Sequence, residues 1–188
     1  MKRPPGNLRI IGGEWRSRIV EFAAEPGVRA TPDRVRQTLF DWLAPGIEGA
    51  HCLDLFAGSG ALGLEALSRG AAHCTFVDTG GKQVHGIRKA IELLRAGRRA
   101  SVLQRDAREL LNTPGAAKYD VVFLDPPFES ELLAEVLPLL PPWLKPVHEV
   151  YVERLSSRPL SLPPGWSLQR EKEAGQVSYG LARFAESA

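Results

Sequence analysis

The chain has little of what marks exported, membrane-bound or disulfide-stabilised proteins. Its 188 residues include two cysteines and no apolar run of membrane-spanning length, and no apolar signal core follows the N-terminal Met-Lys-Arg-Pro-Pro. We therefore expect a cytoplasmic protein without a membrane segment, in which Cys52 and Cys74 are buried, reduced thiols. Internal repeats and low-complexity tracts are also absent. With 44% hydrophobic and 24% charged residues, the composition predicts one well-packed domain with room for a small appendage.

Each cysteine follows a histidine, in the pairs His51–Cys52 and His73–Cys74, which raises the question of a metal site. Both pairs lie on predicted strands, where neighbouring side chains point to opposite faces of the sheet. The histidine and the cysteine of one pair cannot readily reach the same ion. The sequence therefore predicts no metal site.

The net charge is only +2, but the basic residues are clustered in two groups, one before residue 41 and one between residues 88 and 108. Guanidinium groups pair with phosphates in a bidentate way, so such clusters favour a polyanionic partner. For the second group, a solvated helix face is an equal alternative. The first group comprises Lys2, Arg3, Arg9, Arg16, Arg18, Arg29, Arg34 and Arg36, and the second comprises Arg88, Lys89, Arg95, Arg98, Arg99, Arg105 and Arg108.

Residues 51–67 predict the element around which the fold is built. The apolar run from Cys52 to Phe56 predicts a buried strand, and Ala57-Gly58-Ser59-Gly60 predicts a tight turn. Residues 61–69 have helical spacing, and Gly70 is placed to end that helix. Strand, glycine turn and helix open a nucleotide-type α/β fold, in which a ligand approaches the backbone at the positive end of the helix.

The glycine turn is compatible with two kinds of ligand. Gly58, Gly60 and Gly63 satisfy the dinucleotide fingerprint, with Asp78 in the place of the ribose-binding acid. However, Asp54 precedes the turn, and its charge would oppose a pyrophosphate and favour a ligand with a cation and no phosphate. S-adenosylmethionine is such a ligand, because it carries an ammonium, a sulfonium and a ribose. No G-K-[ST] follows the glycines, which excludes a P-loop.

Strands and helices alternate along residues 47–188. Strands are predicted at 51–56, 73–78, 101–104, 119–124 and 148–153, and helices at 61–69, 82–94, 107–112 and near 130–140. Two further strands, 166–172 and 177–184, would form a hairpin around Gly175. This pattern predicts an α/β fold: a mostly parallel sheet with helices on both faces and an antiparallel pair at one edge.

Residues 1–46 are predicted to form an extension to the domain at 47–188. Residues 8–11 and 16–22 flank Gly12-Gly13, as in a β-hairpin. A helix would run from Thr31, its N-cap, to about Leu43, with Pro32 at its first position.

Ligands of such sheets bind outside the carboxyl ends of the strands. Four acids stand at successive predicted strand ends, namely Asp54, Asp78, Asp106 and Asp125. We expect them to converge on one cleft, although a helix N-cap is the favoured alternative for Asp106 taken alone.

Asp125-Pro-Pro-Phe128 ends the strand at 119–124 with a rigid turn that displays acceptors without competing donors. Acceptors beside the Phe128 ring suit an exocyclic amino group on a base. That amine is a poor nucleophile, and acceptors that hold its N–H groups stabilise the positive charge that builds on nitrogen during attack. No strong base is needed before methyl transfer, because alignment supplies much of the catalysis and the proton can leave afterwards through Asp125 or water. A plain Pro-Pro strand terminator is the structural alternative.

Four stretches of the chain together resemble the RsmD family. They are Arg9-Ile-Ile-Gly-Gly-Glu-Trp-Arg-Ser-Arg18, Thr31-Pro-Asp-Arg-Val-Arg-Gln-Thr-Leu-Phe40, Leu53 to Gly70, and Asp125-Pro-Pro-Phe128. That family contains class I S-adenosylmethionine-dependent methyltransferases that act on the guanine N2 amine in the 16S rRNA of the bacterial small subunit. The resemblance covers nearly the whole chain. It implies a Rossmann-like, seven-stranded sheet and a monomer that acts on 16S rRNA within a small-subunit assembly intermediate.

The resemblance also implies roles for the matched residues. Asp78 would bind the ribose hydroxyls and Asp106 would approach the adenine amine. The target guanine would leave its stack to enter the site, as bases do in enzymes that modify them. The cofactor-binding residues would be Asp54, Phe56, Ala57, Gly58, Ser59, Gly60, Asp78, Asp106 and Ala107; the catalytic residues Asp125, Pro126, Pro127 and Phe128; and the RNA-binding residues Arg9, Arg16, Arg18, Arg34 and Arg36.

The chain departs from the family's pattern in two places. Arg29-Ala-Thr-Pro32 replaces the usual Arg-Pro-Thr before the first helix. Thr79-Gly80-Gly81 and Ala90 replace a charged pair and an Asn on the adenosine side, where two glycines weaken a helix start.

Three other functions stay open at this point. A DNA amino-methyltransferase carries a related motif but normally has a sizeable base-recognition region, for which this chain has little room. A non-catalytic RNA-binding module could retain the cofactor fold, and a nicotinamide dehydrogenase is a more distant alternative.

Overall fold

The computed structural model describes residues 5–24, 30–113, 115, 117–128 and 130–186. The strands within these residues are β1 (Gly6–Arg9), β2 (Ile19–Phe22), β3 (His51–Asp54), β4 (His73–Asp78), β5 (Ala100–Gln104), β6 (Tyr119–Leu124), β7 (Leu144–Leu155), β8 (Trp166–Ala174) and β9 (Val177–Phe184). The helices are α1 (Asp33–Leu43), α2 (Ala61–Ser68), α3 (Gly81–Leu93), α4 (Ala107–Leu111) and α5 (Leu132–Val136). None of the helices described is long and apolar enough to cross a membrane.

One sheet of seven strands, in the order β5-β4-β3-β6-β7-β9-β8, positions the site. The first five of these strands run parallel, and β9 and β8 add an antiparallel pair at the edge. The mostly parallel α/β sheet predicted from the sequence is therefore confirmed. β1 and β2 form a separate antiparallel hairpin, also as predicted.

Two local predictions about helices are wrong. Thr31 does not cap α1, since Pro32 occupies the N-cap position and the Thr31 hydroxyl instead donates to Asp125 Oδ2 at 3.5 Å. The helix expected near 130–140 is only the five residues of α5, followed by 3-10 turns at Leu137–Leu139 and Pro141–Trp143. Proline lacks an amide hydrogen, so the three prolines in these turns cannot continue an α-helical hydrogen-bond ladder.

The hydrophobic core lies in two layers, one on each face of the sheet. α1, α2 and α3 cover one face with Leu8, Ile10 and Trp15 of the N-terminal region, whereas α4 and α5 cover the other. Residues before and after residue 46 thus share one core. The division of the chain into two domains at that position remains a prediction.

Glu65 of α2 holds the N-terminal region onto the sheet domain. Its carboxylate is fully buried and accepts hydrogen bonds from the backbone N–H groups of Ile11 and Gly12 at 2.9 and 2.8 Å. It also accepts from the guanidinium groups of Arg36 and Arg69, at 3.2 and 2.7 Å. A buried charge is tolerated only when it is paired and hydrogen-bonded, and here one carboxylate meets four donors.

We expect the Glu65→Ala variant to lose about 3–5 kcal/mol of unfolding free energy, because it leaves the Arg36 charge buried beside two unbonded amides. Urea titration followed by circular dichroism measures this loss. Glu92→Ala, an exposed glutamate of α3, is the control and should change the unfolding free energy by less than about 0.5 kcal/mol. Equal losses in the two variants would contradict the structural role of Glu65.

Candidate active site

The four predicted acids follow four neighbouring strands at the same edge of the sheet. Asp54 and Asp78 are the last residues of β3 and β4, Asp125 directly follows β6, and Asp106 lies two residues after β5. These strands are parallel neighbours, so their carboxyl ends lie together. Asp54 and Asp125 are close enough for the charge of Asp54 to raise the pKa of Asp125. The predicted proximity of Asp54 and Asp125 is therefore confirmed, whereas a single cleft lined by all four acids remains a prediction.

The glycine turn between β3 and α2 depends on backbone conformations that favour glycine. Gly58 and Gly60 have φ angles of 52° and 78°, in the left-handed region. Gly63, one turn into α2, packs so close to β4 that an added Cβ would lie 2.2 Å from a ring carbon of Phe76. α2 therefore starts tightly against the sheet, directly above Asp54.

Asp54 is the acid that the fold isolates from water. It is 2% exposed, and its Oδ2 accepts a hydrogen bond from the Gly63 N–H at 3.0 Å. Burial raises the pKa of Asp54 to about 7; the Gly63 hydrogen bond opposes this rise and repulsion from Asp78 adds to it. A ligand that brings a positive charge would stabilise the ionised form of such a carboxyl group, which burial disfavours.

Asp78 organises the turn from the neighbouring strand. Its Oδ2 accepts from the Gly58 N–H and its Oδ1 from the Gly80 N–H, both at 2.8 Å. Each carboxylate oxygen has a further lone pair, so hydroxyl donors such as those of a ribose can still bind.

Two amides in the first turn of α2, which a pyrophosphate would need as donors, are already bonded to side chains. The Gly63 N–H donates to Asp54, and the Ala61 N–H donates to the Ser59 hydroxyl at 3.3 Å. Acceptor carboxylates at Asp54 and Asp78 instead match a ligand rich in donors, with an ammonium and ribose hydroxyls. The residues present therefore fit S-adenosylmethionine better than a dinucleotide.

Asp106 is engaged as a helix cap. Its side chain accepts from the N–H groups of Arg108 and Glu109 at the start of α4, and it pairs with the Arg108 guanidinium at 2.9 Å. The hydrogen bond from that guanidinium is the main reason why the pKa of Asp106 falls to about 2. The N-cap interpretation of Asp106 is thus correct, and its predicted contact with adenine remains a prediction. Ala107, the first residue of α4, is buried behind it.

Asp125, which directly follows β6, has few hydrogen-bond partners within the part of the chain that the structure describes. Among the described residues, the long hydrogen bond from Thr31 is the one that its side chain accepts. Burial, followed by repulsion from Glu153 and then from Asp54, raises the pKa of Asp125 well above its usual range. Such a carboxyl group has unused acceptor capacity for an incoming N–H donor.

Glu153 is a site residue that we did not predict. It lies near the end of β7, is 4% exposed, and accepts a hydrogen bond from the Tyr151 hydroxyl at 2.6 Å. Burial raises the pKa of Glu153, and the Tyr151 hydrogen bond opposes that rise. A signal was available, because the strand predicted at 148–153 ends on this acid in the same way as the other strand-end acids.

A cavity of about 320 Å³ opens beside the Asp125–Phe128 turn. More than half of the lining residues are apolar or proline, and the charged ones are Glu131, Glu153, Arg154 and Arg158. Apolar walls with a few polar groups are typical of sites that bind planar ring systems. The lining residues are Pro126, Pro127, Phe128, Ser130, Glu131, Leu133, Ala134, Glu153, Arg154, Arg158, Pro159, Leu160 and Ser161.

One member of the predicted RNA-binding set is wrong. Arg36 is 1% exposed, and its guanidinium is bonded to Glu65, Asp33 and the backbone oxygens of Thr31 and Arg9. It holds the extension together and cannot reach RNA. Four other members of the set are exposed, namely Arg9, Arg16, Arg18 and Arg34.

The two basic groups meet where the hairpin packs on α3. The Arg18 guanidinium donates to the Leu93 backbone oxygen at 3.4 Å, and the Arg99 guanidinium lies over the Trp15 ring. Arg108, in contrast, is paired with Asp106 and Glu135. Lys2, Arg3 and Arg29 lie outside the described residues.

The two His-Cys pairs lie on adjacent strands at the opposite end of β3 and β4. Cys52 faces Cys74 in the register, both are free and buried, and burial raises the pKa of both thiols. In the part of the chain that the structure describes, no group of three or more His, Cys, Asp or Glu side chains is arranged to hold a metal ion.

Comparison with known proteins identifies the family. A family model described as conserved hypothetical protein 95 matches residues 8–183. Ribosomal RNA small subunit methyltransferase D of Escherichia coli K12 is 47% identical over 188 residues, covering 96% of this chain and 94% of that protein. The protein of the same name from Haemophilus influenzae is 42% identical over 180 residues, covering 94% of this chain and 93% of its own. The chain belongs to the RsmD family.

A solved structure has the same fold as this chain. The Escherichia coli protein yhhF superposes with a TM-score of 0.88 at 44% sequence identity, covering 97% of this chain and 100% of that one. The resemblance noted in the sequence is therefore confirmed, and the RsmD fold includes the N-terminal hairpin as well as the sheet.

Asp54 gives a prediction for cofactor binding. Because its pKa is about 7 and an ammonium group requires the ionised form, affinity for S-adenosylhomocysteine should fall as the pH drops from about 8 to about 6. Isothermal calorimetry across this range measures the effect, which should approach tenfold per pH unit at the acid end. Asp54→Asn should bind weakly with no such slope, and an identical slope in the variant would contradict the assignment.

Proposed function

We propose that this RsmD-family protein transfers a methyl group from S-adenosylmethionine to the N2 amine of a guanine in bacterial 16S rRNA. One observation carries the proposal: the buried carboxyl group of Asp54 and the rigid acceptor turn at Asp125–Phe128 lie at the same edge of the sheet. The first suits a methyl donor with an ammonium, and the second suits a base amine. The names of the E. coli and H. influenzae relatives point to the same class of substrate.

The cofactor half of the site would be built from the turn between β3 and α2 and the end of β4. Asp54 and the backbone of Phe56, Ala57, Gly58, Ser59 and Gly60 would surround the methionine portion, and Asp78 would accept from the ribose hydroxyls. Asp106 and Ala107 would lie on the adenine side. S-adenosylmethionine, when bound, supplies an electrophilic methyl group on a sulfonium.

The base half of the site would be the Asp125–Phe128 turn. Pro126 and Pro127 keep the turn rigid and free of competing donors, and Phe128 offers a face on which a base can stack. The Asp125 carboxylate would accept an N–H of the amine, align its lone pair with the methyl group and stabilise the positive charge that develops on nitrogen. After transfer, the proton would pass from the nitrogen to Asp125 or to water.

The exposed arginines of the hairpin and α1 would bind the RNA backbone. Arg9, Arg16, Arg18 and Arg34 are exposed, and the Arg18 guanidinium reaches the Leu93 backbone oxygen of α3. We further infer, from the membership in the RsmD family, that the protein acts as a cytoplasmic monomer on a small-subunit assembly intermediate, in which the target guanine can still be flipped out.

Methyl transfer itself is the decisive experiment. Tritiated S-adenosylmethionine is incubated with naked 16S rRNA, with immature small subunits and with plasmid DNA, and the product is digested for nucleoside mass spectrometry. The expected product is N2-methylguanosine from an RNA substrate. Label in DNA alone would favour a DNA amino-methyltransferase, and no label combined with no cofactor binding would favour a non-catalytic RNA-binding module.

We expect Asp125→Ala to lower kcat by about 10²–10³-fold, because it removes an acceptor aligned with the charge of the transition state. Cofactor affinity should change little, since Asp125 faces the base. Single-turnover transfer and calorimetry measure the two quantities. Asp41→Ala, on the exposed side of α1, should retain wild-type rates. A retained rate in Asp125→Ala would overturn the assigned role.

Replacement of both Arg16 and Arg18 by Ala should weaken RNA binding at all sequences. The slope of log affinity against log salt should fall by about 0.7–0.9 for each phosphate that the protein no longer neutralises. Fluorescence anisotropy over a salt series measures the slope. Arg170→Ala, an exposed arginine on β8, is the control. An unchanged slope in the double variant would place the RNA on another surface.

A further inference from the structure

Glu153 is held as a fixed acceptor in the wall of the cavity beside the Asp125–Phe128 turn. It is 4% exposed yet lines that cavity together with Pro126 and Phe128. Among the described residues, the hydrogen bond from the Tyr151 hydroxyl to Oε2 is the one that its side chain accepts. A carboxylate has about four acceptor positions, so most of its capacity is unused.

Glu153 and Asp125 form a pair of adjacent acceptors. β6 and β7 run parallel and pair through Leu124 and Val152, and Asp125 and Glu153 are the next residues along the two strands. Neighbouring strands lie about 4.8 Å apart, so the two side chains leave the sheet beside each other. Their charges repel, which raises the pKa of Asp125. The arrangement is unfavourable unless a ligand supplies hydrogen-bond donors to both groups.

We propose that Glu153 is a specificity-determining residue that accepts a hydrogen bond from the N1–H of the target guanine while Asp125 accepts from its N2 amine. This inference rests on the proposed function and names how that site selects its base. Guanine carries its N1–H and N2–H donors side by side on its Watson–Crick edge, which matches two adjacent carboxylates. Tyr151 acts as a positioning residue that holds Glu153 at the correct place.

The same pair of carboxylates disfavours adenine. The N1 atom of adenine is an acceptor with a lone pair, and a carboxylate that faces it is repelled and left without a donor. A site built to hydrogen-bond a donor rejects an analogue that lacks it far more strongly than an apolar pocket rejects a change of size. The apolar walls at Leu133 and Leu160 would hold either purine ring equally well, so the selection would reside in Glu153.

The test uses an RNA in which the methylated guanine is replaced by 2,6-diaminopurine. That base keeps the N2 amine but has an acceptor at N1 in place of N1–H. Wild-type protein should methylate the guanine RNA with a kcat/KM about 10–100-fold higher than the diaminopurine RNA, the cost of one unmet buried acceptor. Glu153→Gln should lose at least about tenfold of that preference, because its amide can donate to N1.

Two further variants test whether a loss of base preference in Glu153→Gln is specific to Glu153. Glu149→Gln makes the same change in the middle of β7, outside the residues that line the cavity, and should keep the wild-type preference. Tyr151→Phe leaves Glu153 ionisable but unfixed, and should reduce the preference without abolishing transfer; it also serves as the test if Glu153→Gln does not fold. Thermal unfolding checks each variant.

The outcomes distinguish this inference from the proposed function. If wild-type protein does not methylate the guanine RNA, the proposed function fails. If it methylates that RNA and Glu153→Gln or Tyr151→Phe shows the wild-type preference, the role of Glu153 is overturned while the methyltransferase activity stands. An equal loss with both RNAs, at unchanged preference, would also overturn it and indicate a structural role.

Discussion

The structure depends on one energetic constraint: three carboxyl groups at one edge of the sheet lie in surroundings that disfavour their ionised forms. Asp54, Asp125 and Glu153 are held there with one described hydrogen bond each, and burial raises the pKa of all three. The rest of the fold supplies the stability that offsets this cost, through a continuous apolar sheet and two packed layers. These groups keep unused acceptor capacity, which favours ligands that bring hydrogen-bond donors or positive charge to this edge.

Glu65 differs from these three acids because its carboxylate has a full set of hydrogen-bond donors. Four donors satisfy it completely, and it therefore serves as a structural anchor and not as a binding group. Because α2 begins at the glycine turn, this anchor connects the hairpin to the helix that follows the proposed cofactor-binding turn. The exposed arginines and the cleft are thus held by the same short helix.

Features that depend on local sequence could be predicted. The alternation of strands and helices, the glycine turn and the strand-end positions of Asp54, Asp78 and Asp125 follow from periodicity and turn chemistry, and the structure agrees with them. Features that depend on residues far away in the sequence could not be predicted. The burial of Arg36 requires Glu65, 29 residues away, and the failure of Thr31 as a cap reflects its hydrogen bond to Asp125, 94 residues away. Glu153 was visible at a strand end, but its pairing with Asp125 depends on which strands become neighbours.

The way in which the hairpin is attached also limits how this protein could have arisen and how it could be re-engineered. Glu65 recognises main-chain amides of Ile11 and Gly12 and not their side chains, so the interaction depends on the path of the chain more than on residue identity. Replacement of residues 1–46 by a foreign segment would leave the Glu65 carboxylate in the apolar interior without three of its four donors, the Ile11 and Gly12 amides and the Arg36 guanidinium. The N-terminal region therefore cannot be exchanged as a module at this junction, and substitutions on the exposed surface of the hairpin are the changes that leave the attachment intact.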